Sequence, residues 1–219
     1  PNHTLTLTSA PATTTQTLCI NTPLVNITYT FGGGATGLNV TGLPTGVSET
    51  VSGNNLTISG SPSVSGNFSY TITTTGNGCI SASATGSITV NPDHTLVLAS
   101  APGTVNQQAC INTAITAVVY TLGGGATGAT VSGLPAGVTG SLSGNSYTLS
   151  GSPEAEGTFN YTVTTTGNTC LAATATGTIT VLPNHTLTLT SAPVTTTQTV
   201  CINTPLVNIT YTFGGGATG

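Results

Sequence analysis

Large apolar and small polar residues alternate in short bursts along this chain. Val25, Ile27, Tyr29 and Phe31 are separated by Asn26, Thr28 and Thr30, and Phe68, Tyr70 and Ile72 stand against Ser69, Thr71 and Thr73. A period of two is that of a strand with one face in a core and the other toward water. Shorter runs carry the same period, such as Leu56 and Ile58, which stop at Gly60-Ser61-Pro62, where a proline without an N–H cannot continue an interior ladder. A Leu-Pro-x-Gly turn at Leu43 to Gly46 places proline and glycine where turns want them. Strands are expected near 4–9, 15–20, 25–31, 38–41, 47–51, 55–59, 66–75 and 79–90. Short strands punctuated by turns at this rate argue for an all-β sandwich.

The pattern then returns. Residues 42–73 reappear as 133–164, and Pro1, Pro92 and Pro183, His3, His94 and His185, Cys19, Cys110 and Cys201, and Cys79 and Cys170 all stand 91 residues apart. A period this long exceeds the 20 to 45 residues or so of a solenoid coil, so each copy is expected to be a domain of its own. The expected units are 1–91, 92–182 and the first part of a third, 183–219. Residues 183–219 differ from 1–37 only at Ala12/Val194 and Leu18/Val200. With no initial Met and an end in mid-repeat, the chain reads as a piece of a longer one. The links Asn91-Pro92-Asp93-His94 and Leu182-Pro183-Asn184-His185 are short and proline-stiffened, which favours a rod of domains joined end to end.

Composition narrows the partners. Charged residues make up 2% of the chain, with no Lys or Arg and four acids, Glu49, Asp93, Glu154 and Glu156. Phosphate backbones and anionic lipid surfaces are held by Lys and Arg, so nucleic acid and direct membrane insertion are not expected. Disorder is argued against by the wealth of Val, Ile, Leu and Thr in alternation. No apolar run is long enough for a membrane helix.

Candidate chemistry is sparse. Each unit holds one His, which sits at a joint, and Glu154 and Glu156 lie in a turn where the first unit has Ser63 and Ser65. Neither set offers a nucleophile with a base, or paired carboxylates, so no catalytic residue, metal ligand or cofactor is expected. The Gly-Gly-Gly-Ala-Thr-Gly loops at 32–37, 123–128 and 214–219 lack the Lys and the following helix of a phosphate cradle. Asn-x-Ser/Thr sequons occur at Asn2, Asn26, Asn39, Asn55, Asn67, Asn160, Asn184 and Asn208, and their outward phase marks them as candidate glycosylation sites. Tyr29, Phe31, Phe68 and Tyr70 are in core phase; Tyr147, the aromatic particular to the second unit, would support a carbohydrate-binding platform if exposed.

The segment Gly-Leu-Pro-Thr-Gly-Val, a short strand, then Ser-Gly-Ser-Pro-Ser-Val-Ser-Gly-Asn-Phe-Ser-Tyr-Thr-Ile-Thr resembles the immunoglobulin-like repeats of large bacterial surface proteins. The whole unit, with Cys-Ile-Asn-Thr, the Gly-rich loop, Gly-Leu-Pro-Ala-Gly-Val and Thr-Gly-Thr-Ile-Thr-Val, is similar to the tandem repeats of the giant SprB-type adhesins of gliding Bacteroidetes. Ser61 stands where many such copies carry Thr. The resemblance implies a secreted, surface-anchored adhesin filament, exported by the type IX system and moved along the cell surface. Its partners would be neighbouring repeats of the same chain, with surface polysaccharide or other cell-surface proteins beyond them.

Paired cysteines at fixed spacing in Thr-rich β units suit an extracellular, oxidising compartment. One register joins Cys19 to Cys79 and Cys110 to Cys170; another joins Cys79 to Cys110 and Cys170 to Cys201. In an immunoglobulin-like unit the second would have to bridge the length of the last strand, far beyond the roughly 7 Å reach of a disulfide. The first is expected, with Cys19 ending a strand and Cys79 beginning one at the same pole, each bond closing about 60 residues and worth roughly 4 kcal/mol. The expectation is a non-enzymatic structural and adhesive repeat segment acting as a rigid spacer in surface attachment or gliding. A carbohydrate-binding array and a self-assembling extracellular filament subunit are the alternatives.

Overall fold

The computed structural model describes residues 1–217. Thr218 and Gly219, the end of the third Gly-rich loop, lie outside the described residues. Residues 1–91 form strands β1 (Thr4–Leu7), β2 (Thr15–Cys19), β3 (Ile27–Gly32), β4 (Ala35–Thr41), β5 (Val47–Ser52), β6 (Asn55–Gly60), β7 (Gly66–Gly76) and β8 (Ser83–Asn91). One sheet runs in the order β1-β3-β6-β5 and the other β2-β8-β7-β4. The next copy repeats the plan with β9 (Thr95–Leu98), β10 (Asn106–Cys110), β11 (Val118–Gly123), β12 (Ala126–Ser132), β13 (Val138–Ser143), β14 (Ser146–Gly151), β15 (Gly157–Gly167) and β16 (Thr174–Leu182). Its sheets are β13-β14-β11-β9 and β10-β16-β15-β12, and β17 (Thr186–Leu189) pairs with β18 (Tyr211–Gly214).

The first two strands of each copy are one strand broken in the middle. β1 pairs antiparallel with β3 over Thr4↔Gly32 to Leu7↔Tyr29. Pro11 then opens a single 3-10 turn, Pro11–Thr14, because proline cannot continue a ladder. The chain crosses to the opposite sheet without reversing, so β2 joins β8 in parallel, from Thr15↔Ser87 to Cys19↔Asn91. β10 and β16 do the same, ending at Cys110↔Leu182. Hydroxyls hold the crossover: Ser9 Oγ and Thr13 Oγ1 are 2.7 Å apart, Thr13 Oγ1 donates to Ala10 O, and Thr28 N–H donates to Ser9 Oγ.

By its contacts the chain divides into two compact units, one of residues 1–96 with 122–128 and 165–173, the other of the remaining described residues. The core of the first gathers Leu24, Ile27, Tyr29, Val47, Leu56, Ile58, Tyr70, Ile72, Ile88 and Val90, with Phe68 partly buried against it. In the second, Val118, Tyr120, Val138, Tyr147, Leu149, Tyr161, Val163, Ile179 and Val181 are buried. The alternation read from the sequence therefore points inward as expected on β3 and β7. Two apolar residues depart from it. Val25 is 65% exposed and Leu24 takes the interior place, because β3 begins only at Ile27 and the chain before it is held from the side. Ile80 is 71% exposed, because β8 begins at Ser83 and the segment from Cys79 onward is loop.

That side support comes from a glutamine. The Gln16 side-chain amide donates to Thr13 O and Val25 O and accepts from Val25 N–H, standing in for a strand partner. Gln107 repeats the arrangement on Thr104 and Thr116.

Candidate functional site: a cross-linked cap

The chemically distinctive feature of the molecule is a disulfide, and it does not join the cysteines expected. Cys19 is bonded to Cys170, with Cα atoms 5.4 Å apart and a sequence separation of 151. Cys79, Cys110 and Cys201 are free and exposed. The expected pairs Cys19 with Cys79 and Cys110 with Cys170 are therefore corrected. They rested on β2 ending at the pole where the last strand begins. Because β2 runs parallel to β8, Cys19 lies opposite Asn91, at the end of β8, whereas Cys79 precedes its start at Ser83. The length of β8 separates them, on the order of 25 Å at about 3.3 Å per residue, well beyond a disulfide's reach of about 7 Å. The parallel pairing of β10 with β16 parts Cys110 from Cys170 in the same way.

Cys19 and Cys170 both fall in the first compact unit, where Cys170 belongs to a cap built around His94. His94 is 7% exposed. Its Nδ1 lies 3.0 Å from Thr165 Oγ1 and its Nε2 3.0 Å from Asn168 Oδ1. Asn168 Oδ1 also accepts the Cys170 N–H at 2.9 Å, which fixes the orientation of the disulfide-bonded residue. The backbone closes the cap, with His94 N–H donating to Leu171 O and Leu171 N–H donating to Asp93 Oδ1. Cys170 Sγ sits 3.8 Å from Asn91 O, in the linker between the two sequence repeats. The cap around His3 is its counterpart: Nδ1 to Thr74 Oγ1 at 3.0 Å, Nε2 to Asn77 Oδ1 at 3.1 Å, and Cys79 N–H to Asn77 Oδ1 at 3.2 Å.

His3 and His94 are thus structural hubs. Both ring nitrogens of His3 and His94 face protein partners, so neither offers a lone pair to a metal, and among the described residues no cluster of metal-ligating side chains occurs. His185 is exposed. Asp93 is the one acid drawn into the cap; Glu49, Glu154 and Glu156 are solvent-exposed.

Cys19 is presented by a turn that alternation could not reveal. Asn21 has φ +60° and Asn112 φ +61°, the left-handed region that asparagine tolerates better than other side-chain-bearing residues. Asn21 N–H donates to Pro62 O and Thr22 N–H to Cys19 O, so the chain folds back immediately after the cysteine. The signal in the sequence was the repeated Cys-Ile-Asn-Thr. The Gly-rich loops serve the caps as well: Gly124, at φ +63°, lies so close to Asp93 O that a side chain there would collide with it.

All eight sequon asparagines, Asn2, Asn26, Asn39, Asn55, Asn67, Asn160, Asn184 and Asn208, are exposed. Tyr147 is only 5% exposed, its ring lying over Gly140, which replaces Glu49 of the first copy. No aromatic platform is left at that position.

No family model matches the chain, and no curated protein matches it. Solved structures do. The I-band fragment I67-I69 of titin superposes with a TM-score of 0.55 at 13% identity, covering 78% of this chain and 64% of that one. An E-to-A variant of the same three domains gives 0.57 at 13% identity, with 83% and 67% covered. At such identities the likeness bears on fold alone. The paired four-stranded sheets, the split first strand and this likeness make the chain an all-β array of tandem immunoglobulin-like sandwiches.

Proposed function

We propose that this chain is a structural and adhesive repeat segment of a large secreted cell-surface protein, holding a binding element away from the cell that bears it. The observation that carries the reading is the Cys19–Cys170 bond between two copies of one sandwich already joined by a short proline linker. A covalent tie across a linker resists mechanical parting, and it belongs to an oxidising compartment. The domains are taken as 1–91, 92–182 and the start of a third at 183–219, acting as rigid spacers. The resemblance to SprB-type adhesins extends the proposal to surface attachment or gliding motility, with neighbouring repeats and surface polysaccharide or other surface proteins as partners. The eight exposed sequons are its candidate glycosylation sites.

Antibodies raised against this chain test it. Intact cells that make the full protein should be labelled, and removing whole repeats from that protein should weaken attachment under flow. Labelling only after permeabilisation would sink the proposal.

A further inference from the structure

Two of the free thiols occupy the places of the two bonded ones. Cys110 ends β10 opposite Leu182, as Cys19 ends β2 opposite Asn91. Two residues after each stands an asparagine of positive φ, whose N–H goes to Pro62 O in the first copy and Pro153 O in the second. Cys79 hangs from Asn77 Oδ1 as Cys170 hangs from Asn168 Oδ1. The next residue's carbonyl takes the cap histidine's N–H in both, from His3 to Ile80 O and from His94 to Leu171 O. An open groove of about 270 Å³, lined by Ala109, Cys110, Ala114, Ile115 and Leu182 among others, keeps the Cys110 thiol accessible.

We propose that Cys110 bonds to the Gly-Asn-x-Cys thiol of a further repeat of this kind, and Cys79 to the Cys-Ile-Asn-Thr thiol of a preceding one. Cys19–Cys170 is then one member of a series that ties each repeat to the next, and Cys201 begins another member. Each bond forms from two thiols, which give up two protons and two electrons. A protein disulfide of the thiol-oxidase class takes them and is reduced to its dithiol. Pairing within a repeat is closed to these cysteines by the parallel β2–β8 and β10–β16 pairings, which set the two thiols of a repeat a strand's length apart. The inference goes beyond the adhesive reading and does not depend on what the array attaches to.

The test uses the full chain lengthened after Gly219 by a copy of residues 38–91, which completes the unit begun at Pro183 and supplies one new Gly-Asn-x-Cys thiol. The lengthened chain is oxidised, its free thiols are alkylated, and it is digested without reduction by a protease that needs no Lys or Arg. The expected map shows Cys110 linked to the added cysteine beside Cys19–Cys170, with Cys79 and Cys201 alkylated. The variant Cys110→Ser should leave the added cysteine alkylated while Cys19–Cys170 still forms. A map in which Cys110 is alkylated beside an intact Cys19–Cys170, or in which the added cysteine is joined to Cys201, overturns the proposal. So does an added cysteine that remains bonded in the Cys110→Ser chain.

Discussion

Two tyrosines in each copy share the core with their hydroxyls close together, and they differ in what those hydroxyls do. Tyr161 donates to Val105 O at 3.2 Å, whereas the buried Tyr120 hydroxyl has no hydrogen bond of good geometry. Removing an unsatisfied buried hydroxyl costs little and can help, whereas removing a satisfied one loses about 1 kcal/mol. Tyr120→Phe should therefore leave thermal stability unchanged or raise it by up to about 1 kcal/mol, and Tyr161→Phe should lower it by a similar amount. Melting curves of the two variants decide the matter, and equal losses would contradict it. Burial also pushes the Tyr70 and Tyr161 hydroxyls well above the ordinary value of 10.0, and the neighbouring Tyr29 and Tyr120 hydroxyls push them further the same way. Above pH 10 the unfolded chain releases these protons and the folded chain retains them, so the unfolded state gains. Stability should hold up to about pH 10 and fall beyond it. A denaturant midpoint that is flat from pH 9 to 11.5 would contradict this. Val25 teaches a related lesson: its phase is that of a buried residue, yet the Gln16 amide takes its backbone and leaves its side chain in water.

At the scale of elements, packing is tight where a tyrosine of β7 or β15 crosses the last strand. Gly86 on β8 lies so near the Tyr70 hydroxyl and Thr14 O that a Cβ would overlap both, and Gly177 on β16 stands likewise against Tyr161 and Val105 O. Gly86→Ala should force β2 and β8 apart and destabilise its repeat by about 1 to 3 kcal/mol, the usual range for overpacking. Gly53→Ala is the control for a surface glycine, since its Cβ would meet nothing within 4 Å and only its φ of +58° resists substitution. Equal melting temperatures for Gly86→Ala and the parent would refute the account. The eight strands of each copy were legible from alternation and turn residues, because period and punctuation are local properties. The direction of β2 was not. Whether a proline break reverses a chain or moves it sideways onto another sheet depends on what waits across the core, here the free edge of β8.

For the whole molecule, the connectivity of the disulfide sets how far the chain can be drawn out. With Cys19 bonded to Cys170, the stretch between them, a sequence separation of 151, cannot extend when the ends are pulled. Stretching the oxidised chain to full length should give roughly 50 nm less than stretching it reduced, at about 3.4 Å per residue. Single-molecule pulling with and without reductant measures this, and equal contour lengths would show that the bond does not form. In the chain-entropy model, closing so long a loop contributes about 5 kcal/mol, so Cys19→Ser should lower unfolding midpoints as well. By itself, the sequence determined the all-β class, the period of 91, the strands and their inward faces, the exposure of the sequons and the near absence of charge. Those follow from residue types and their spacing, which any fold must satisfy. Only the tertiary structure decided which cysteines meet, that His3 and His94 anchor caps, and that Tyr147 is interior. Each depends on which strand lies beside which, and in what direction, and that is set by long-range pairing rather than by local pattern.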